Sequence, residues 1–264
     1  VTAAFLSVLV VLSFGGAFVA GLVGVGGAIV TIPLLLYGPP LLGVGRLDVK
    51  TVAAVTMVQV FVAAVSGVIV HRRRRAVRPD LAVFGGLAMA GGSFTGAIAS
   101  KYVDDRLLLL VFGLMTLAAL ALLFVPTETI GQPVFADLVE FNMPRALLVC
   151  AAVGLAAGLV GAGGAFLLVP LLMVVVGLPI RVTIGSSLAI TALAATAGVI
   201  GKVVTGQVPL FPSLAVVLGA MPGARLGAMT SRRLTGMGLK RVLFIVILAS
   251  AVRVWWDLLG RLME

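Results

Sequence analysis

Two stretches of this 264-residue chain carry glycines at a spacing that can do chemistry. GLVGVGGAIVTIPLLL occupies 21–36, GLVGAGGAFLLVPLLM occupies 158–173, and ten of the sixteen positions are identical. Gly24, Gly26 and Gly27 of the first copy correspond to Gly161, Gly163 and Gly164 of the second. Each glycine costs a helix about 1 kcal/mol relative to alanine, so three within four residues are expected to break it. A helix that resumes at Ala28 or Ala165 aims free N–H groups and a positive dipole end into the space ahead of it, which suits an anion. Neither copy is a nucleotide loop: no glycine follows Gly26 at the dinucleotide spacing, and no Lys-Ser/Thr follows as in a phosphate loop. Pro33 and Pro170, six residues past the last glycine, are expected to kink the following limb and free a carbonyl.

Polar side chains elsewhere in the apolar text are few. Thr56 and Gln59 lie three residues apart, close to one helix face. Their counterparts 131 residues on are Ser187 and Ile190, with Ser186 and Thr191 alongside. Hydroxyls and an amide can ligate an anion without burying a full charge, although such groups also bond their own helix or a neighbour. Arg225, just after Pro222, lies seven residues before Arg232, which puts it about 10 Å inside the end of its span. It is the candidate cation for drawing in an anion, with snorkelling to the interface as the alternative. Arg253 beside Trp255 and Trp256 reads as interfacial, and Lys202 ends a span where it can guard a mouth. The glycines of both phrases, these hydroxyl and amide residues and Arg225 form the candidate substrate-binding set.

Other chemistries are poorly served. A single cysteine, Cys150, excludes an intrachain disulfide and a cysteine-type metal or iron–sulfur site. With one histidine, His71, and no intramembrane carboxylate pair, an enzyme is not expected, and no catalytic residue, metal or cofactor is assigned. Asp48, Asp80, Asp104 and Asp105 flank the spans, so coupling through a titrating carboxylate is not expected either. The net charge of +10 includes the run HRRRRAVR at 71–78. That run directly follows an apolar segment, the pattern of a topology signal or an acidic-lipid contact rather than of nucleic-acid binding.

The elements that must position these residues are membrane helices. The chain is 61% hydrophobic and 11% charged, against roughly 25% charged in a soluble domain. No charge occurs before Arg46, and later uncharged runs cover 51–70, 81–100, 107–127, 146–180, 182–201 and 203–224. Most match the ~20 residues that cross a bilayer core. Barrel strands would alternate apolar and polar residues, and these segments do not. A cleaved signal peptide is not expected, since no charged region precedes the first apolar run.

The chain reads as two homologous halves, 1–125 and 144–264, joined by an acidic linker at 126–143. Gly67-Val68-Ile69 recurs as Gly198-Val199-Ile200, and GSFTGA at 92–97 as GARLGA at 223–228. Each half holds three ordinary spans, near 49–71, 80–100 and 106–125, then near 182–203, 210–231 and 238–260. Residues 1–45 would form a helix of about 68 Å and 146–180 one of about 52 Å, too long for a ~30 Å core. Each is therefore expected to be a hairpin of two short limbs, tipped by the glycines. Basic residues crowd 71–80 in the first half and 232–241 in the second, whereas their counterparts carry little bias. Basic loops stay cytoplasmic, so equivalent loops face opposite sides, the pattern of an inverted-topology repeat. The expected fold is all-α and polytopic, with 71–80 and 232–241 cytoplasmic.

The twin phrases, the VAAVTM and IGSSLAI openings of the following spans, and MPGARLGAMTSRRL before the last span resemble the TauE/SafE (TSUP) family of sulfite and organosulfonate exporters. The resemblance covers essentially the whole chain. It implies a secondary transporter in the inner (plasma) membrane for a small sulfur-containing anion such as sulfite, thiosulfate or an organosulfonate, working by alternating access. The alternative is an anion channel or facilitator for another small anion. Expected partners are the anion and the lipid bilayer, without nucleic acid, and a homo-oligomer is compatible with the sequence.

Overall fold

The structure is a computed structural model that describes residues 2–23, 27–72, 78–125, 141–231 and 236–263. The described residues form helices joined by short connections, with no strand among them. In chain order the helices are α1 (Ala3–Val23), α2 (Ala28–Leu41), α3 (Val49–Arg72), α4 (Gly86–Ala99), α5 (Asp105–Phe124), α6 (Met143–Val160), α7 (Ala165–Val174), α8 (Ile180–Val204), α9 (Leu210–Thr230) and α10 (Gly236–Met263). A π-helical turn over Leu81–Gly85 leads into α4. Asn142 caps α6 by accepting from the Arg145 N–H at 3.0 Å, with Pro144 in the first turn where its missing N–H costs nothing.

Among the described residues eight helices, α4 being counted together with the π-helical turn before it, are long and apolar enough to cross a membrane, and the two shorter ones, α2 and α7, each follow a glycine phrase. The chain is therefore a multi-pass membrane protein. The limbs of each hairpin differ from the expected pair of short helices. α1 has 21 residues and α6 has 18, each a spanning length, while α2 has 14 and α7 has 10. Uninterrupted apolar text carries the first limb until the glycines stop it. In the first hairpin Gly27 lies against Ala20 and Gly16, Gly38 against Leu12, and Gly45 against Phe5. α2 thus runs back along α1 and returns the chain to the end where it began.

Packing repeats between the halves. α1 packs on α9 and α6 on α4; α3 packs on α9 and α8 on α4; α2 packs on α3 and α7 on α8; α10 packs on α2 and α5 on α7. α3 meets α8 and α5 meets α10 at the centre of this exchange. The correspondence extends to single backbone contacts. A Cβ placed on Gly21 would run into the Ala224 carbonyl, and one on Gly158 into the Ser93 carbonyl. Gly223 and Gly227 approach the carbonyls of Phe14 and Phe18 as Gly92 and Gly96 approach those of Ala151 and Leu155. Small residues allow this backbone approach where apolar lipid supplies no hydrophobic drive for helix association.

α3 and α8 run antiparallel. Met57 lies against Gly198, whereas Val60, later in α3, and Thr191, earlier in α8, both touch Gly163. At one end of this pair, the Arg78 N–H donates to Ser186 Oγ at 3.0 Å. At the other, Lys202 donates to Ser100 Oγ at 2.7 Å.

Candidate functional site

The second glycine phrase forms a broken helix at the heart of the fold. Gly161 ends α6 at φ 76°, and Gly163 and Gly164 follow at φ 61° and 70°. These left-handed conformations suit glycine alone. The Gly161 and Ala162 N–H groups both return to the Ala157 carbonyl, so the end of α6 is satisfied locally. α7 then starts at Ala165; the Leu167 and Leu168 N–H groups donate to the Gly164 carbonyl at 3.1 and 2.9 Å, while those of Ala165 and Phe166 precede the first helical acceptor. Residues 161–170 are all buried, as a broken helix inside a membrane must be.

Two long helices receive this tip at their midpoints. A Cβ on Gly161 would strike the Ala53 carbonyl of α3, and one on Gly163 would meet Val60 and Thr191. Val60 and Thr191 are each the twelfth residue of their helices, which have 24 and 25 residues. The positive end of α7 therefore points at the middle of the α3–α8 pair. In the first half Gly27 takes φ 79° before α2, and its carbonyl accepts from the Val30 and Thr31 N–H groups. Gly24 and Gly26 lie outside the described residues.

Polar atoms without partners lie on the helices that surround these midpoints. Thr31 Oγ1, Thr56 Oγ1, Gln59 Oε1, Ser93 Oγ and Thr191 Oγ1 make no hydrogen bond, and all five residues are fully buried. Gln59 Nε2 donates to the Ser13 carbonyl at 3.3 Å, and its Oε1, an acceptor, is the atom left without a partner. Thr31 Oγ1 and Gln59 Nε2 both border the position of Gly16, so α1, α2 and α3 meet there. On the wheel of α3, Thr56 falls between Gln59, which faces the first hairpin, and Val60, which faces the tip of the second. Ser93 Oγ points from α4 at Gly198 of α8, beside Met57. A buried polar atom without a partner costs about 1–3 kcal/mol, so five of them on the helices that meet here call for a physical reason.

The structure brings Gly163 and Thr191 into contact beside Val60, with Thr56 and Gln59 within about one turn of Val60 on α3, and gives the other candidates different surroundings. Ser186 sits one end away, holding the Arg78 N–H. Ser187, one turn before Thr191 on the same face of α8, donates to the Ile184 carbonyl of its own helix at 3.0 Å. Arg225 is on the exposed face of α9, away from the tips, where its long stem can reach the interface. Pro33 and Pro170 lie inside α2 and α7, which continue as helices through them. The carbonyl that Pro33 frees is that of Ile29, and Ser250 of α10 donates to it at 2.6 Å. The acidic residues do not all flank the spans, because α10 carries Asp257 within its apolar run.

Thr31 and Ser93 were not singled out by composition or motif. A comparison of the two halves does find them. Thr31 stands where the second phrase has Leu168, Gln59 where α8 has Ile190, Ser93 where α9 has Ala224, and Thr191 where α3 has Val60. Each is polar in one half and apolar in the other, and each carries an unpartnered atom.

The fold is that of a multi-pass helical membrane protein with a broken helix where its two halves meet, an arrangement that membrane transporters use. The family described as sulfite exporter TauE/SafE matches residues 8–254, and the chain belongs to that family. It is 29% identical over 260 residues to a probable membrane transporter protein of Xylella fastidiosa, covering 95% of each chain. It is 25% identical over 259 residues to the probable membrane transporter protein YunE of Bacillus subtilis, covering 91% of this chain and 94% of the relative. No solved structure was found to match it. The chain is accordingly a membrane transporter of the TauE/SafE family.

Proposed function

We propose that this protein is a secondary transporter that carries a small sulfur-containing anion, with sulfite, thiosulfate and organosulfonates as the candidates, by alternating access around the midpoint of α3 and α8. The observation that carries the reading is the Gly163 tip between Val60 and Thr191. There a helix N-terminus, with its positive dipole end, lies among unpartnered hydroxyl groups that can donate to an anion. Such groups bind an anion without a permanent buried charge, which lets it leave as well as enter.

The two halves act as inverted repeats. Three features support this: the exchange symmetry of the helix packing, the antiparallel run of α3 and α8, and the separation of the Arg78–Ser186 and Lys202–Ser100 contacts to opposite ends. The basic segments 71–80 and 232–241 then lie on the cytoplasmic side of the inner membrane. Rocking of one half against the other opens the midpoint to each side in turn.

The test uses purified protein in proteoliposomes. Saturable counterflow of labelled sulfite is the expected result, and Gly163→Ala protein, inserted and folded, is expected to lose it. Conductance at channel rates would replace the carrier by an anion channel. Unimpaired counterflow in the Gly163→Ala protein would remove the midpoint site.

A further inference from the structure

Lys202 lies in the last turn of α8 and is fully buried. Its ammonium donates to Ser100 Oγ at 2.7 Å and to Gln207 Oε1 at 3.2 Å. Both acceptors are neutral, and among the described residues Lys202 forms no ion pair with a carboxylate. An ammonium has three N–H donors, so one is left without a protein acceptor. The acceptors are themselves fixed. Ser100 Oγ lies 2.7 Å from the Ala97 carbonyl, and Gln207 Nε2 donates to that same carbonyl at 3.1 Å and to Thr205 Oγ1 at 2.6 Å. A buried cation held only by neutral groups is costly, and within a membrane protein such a group marks an ion or substrate pathway.

A second observation leads inward from it. One residue before Lys202, Gly201 packs against Ala97 and Phe94 of α4. One turn further in, Gly198 faces Ser93 Oγ, a fully buried hydroxyl with no partner. Ser93 is seven residues, about 10 Å, inward of Ser100 along α4. It adjoins Met57, the neighbour of Thr56 on α3. The α4–α8 seam therefore carries an uncompensated cation at its end and an unsatisfied hydroxyl partway to the midpoint. In the sequence of the other half, the positions 131 residues from Lys202 and Ser100 are His71 and Ser231. Each half thus supplies a basic residue and a serine at the same register.

We propose that Lys202, oriented by Ser100 and Gln207, is an anion-binding station at the end of the α4–α8 seam, where a small oxyanion supplies the missing acceptor and counter-charge before passing Ser93 to the midpoint. The passage inward rests on the transporter reading, whereas the binding does not.

The experiment measures sulfite, sulfate and chloride binding to the full-length protein in lipid nanodiscs, together with sulfite uptake into proteoliposomes. Lys202→Met is expected to weaken oxyanion binding and raise the KM for sulfite by about tenfold, with the maximal rate within about twofold. Lys202→Arg is expected to recover part of the affinity. Ser100→Ala keeps the charge but loosens it, and is expected to raise KM by a smaller factor, which covers the case in which Lys202→Met does not fold. Unchanged affinity and KM in the folded variants would make Lys202 a structural clamp and overturn the proposal. So would the absence of Lys202-dependent binding of any of the three anions to the parent. Lys202-dependent binding without uptake would keep the station and remove the transporter reading.

Discussion

Ser250 of α10 donates a 2.6 Å hydrogen bond to the carbonyl of Ile29, four residues before Pro33 in α2. Proline has no N–H, so this carbonyl loses its helical partner, and a neighbouring helix supplies another. The bond is buried, and Ser250→Ala is expected to cost about 1–2 kcal/mol of stability. In a Pro33→Ala background the helix regains its own donor, and the cost of Ser250→Ala is expected to shrink toward zero. Thermal unfolding of the four proteins in detergent closes the cycle. Equal costs in both backgrounds would show that Ser250 does not answer the proline.

The backbone contacts of Gly21 and Gly158 give a paired prediction. A methyl on either meets a carbonyl of the partner helix, at Ala224 or Ser93, and backbone cannot rotate aside. Gly21→Ala and Gly158→Ala are each expected to lower stability by about 1–3 kcal/mol. Gly91→Ala, where a Cβ meets nothing, is expected to be neutral or stabilising by about 0.5–1 kcal/mol. The three unfolding midpoints check the ordering.

The sequence made the helices legible because lipid imposes a simple rule: each span must be apolar for about 20 residues. The expected 49–71 and 210–231 match α3 and α9 almost to the residue. The hairpins were legible as too much apolar length, but the inequality of their limbs was not, because α1 and α2 share one uncharged composition. Site residues divide by whether they depend on direction. Gln59 and Thr191 fall on inward faces, while Arg225 falls on the outward face of α9, and helical periodicity is too weak in all-apolar text to separate the two. Ser187 could bond its own helix or a neighbouring group, and the sequence does not show the 3.0 Å bond that it makes to the Ile184 carbonyl.

Inversion of the halves can be tested by labelling. Cys150 is buried, so a Cys150→Ala background leaves no native thiol. Asp80→Cys reports the end of α4 near Ser186, and Val208→Cys reports the connection between α8 and α9. An impermeant maleimide is expected to reach the first from the cytoplasmic side and the second from the opposite side. Labelling of both from one side would end the inverted arrangement.

Arg225 separates a site cation from a surface one. It is exposed on α9, so Arg225→Gln is expected to leave the KM for sulfite within about twofold of the parent. A rise of about tenfold or more would mean that the guanidinium reaches the substrate after all.

Thr191→Val sets stability against function. The Thr191 hydroxyl is fully buried without a partner, and Val60, its counterpart in α3, already has the shape of the replacement. Exchanging the hydroxyl for a methyl removes an unsatisfied group at nearly constant volume. In the empty protein the change is expected to add about 1 kcal/mol of stability. The same hydroxyl is where an anion at the Gly163 tip would find a donor, so sulfite uptake is expected to fall by about tenfold through KM. A residue that only packs would give the first effect without the second. A hydroxyl that bonds its own helix would give a loss of stability instead. Unfolding midpoints and uptake kinetics on the same preparation separate the three cases, and only a gain in stability with a loss of affinity assigns Thr191 to the ligand.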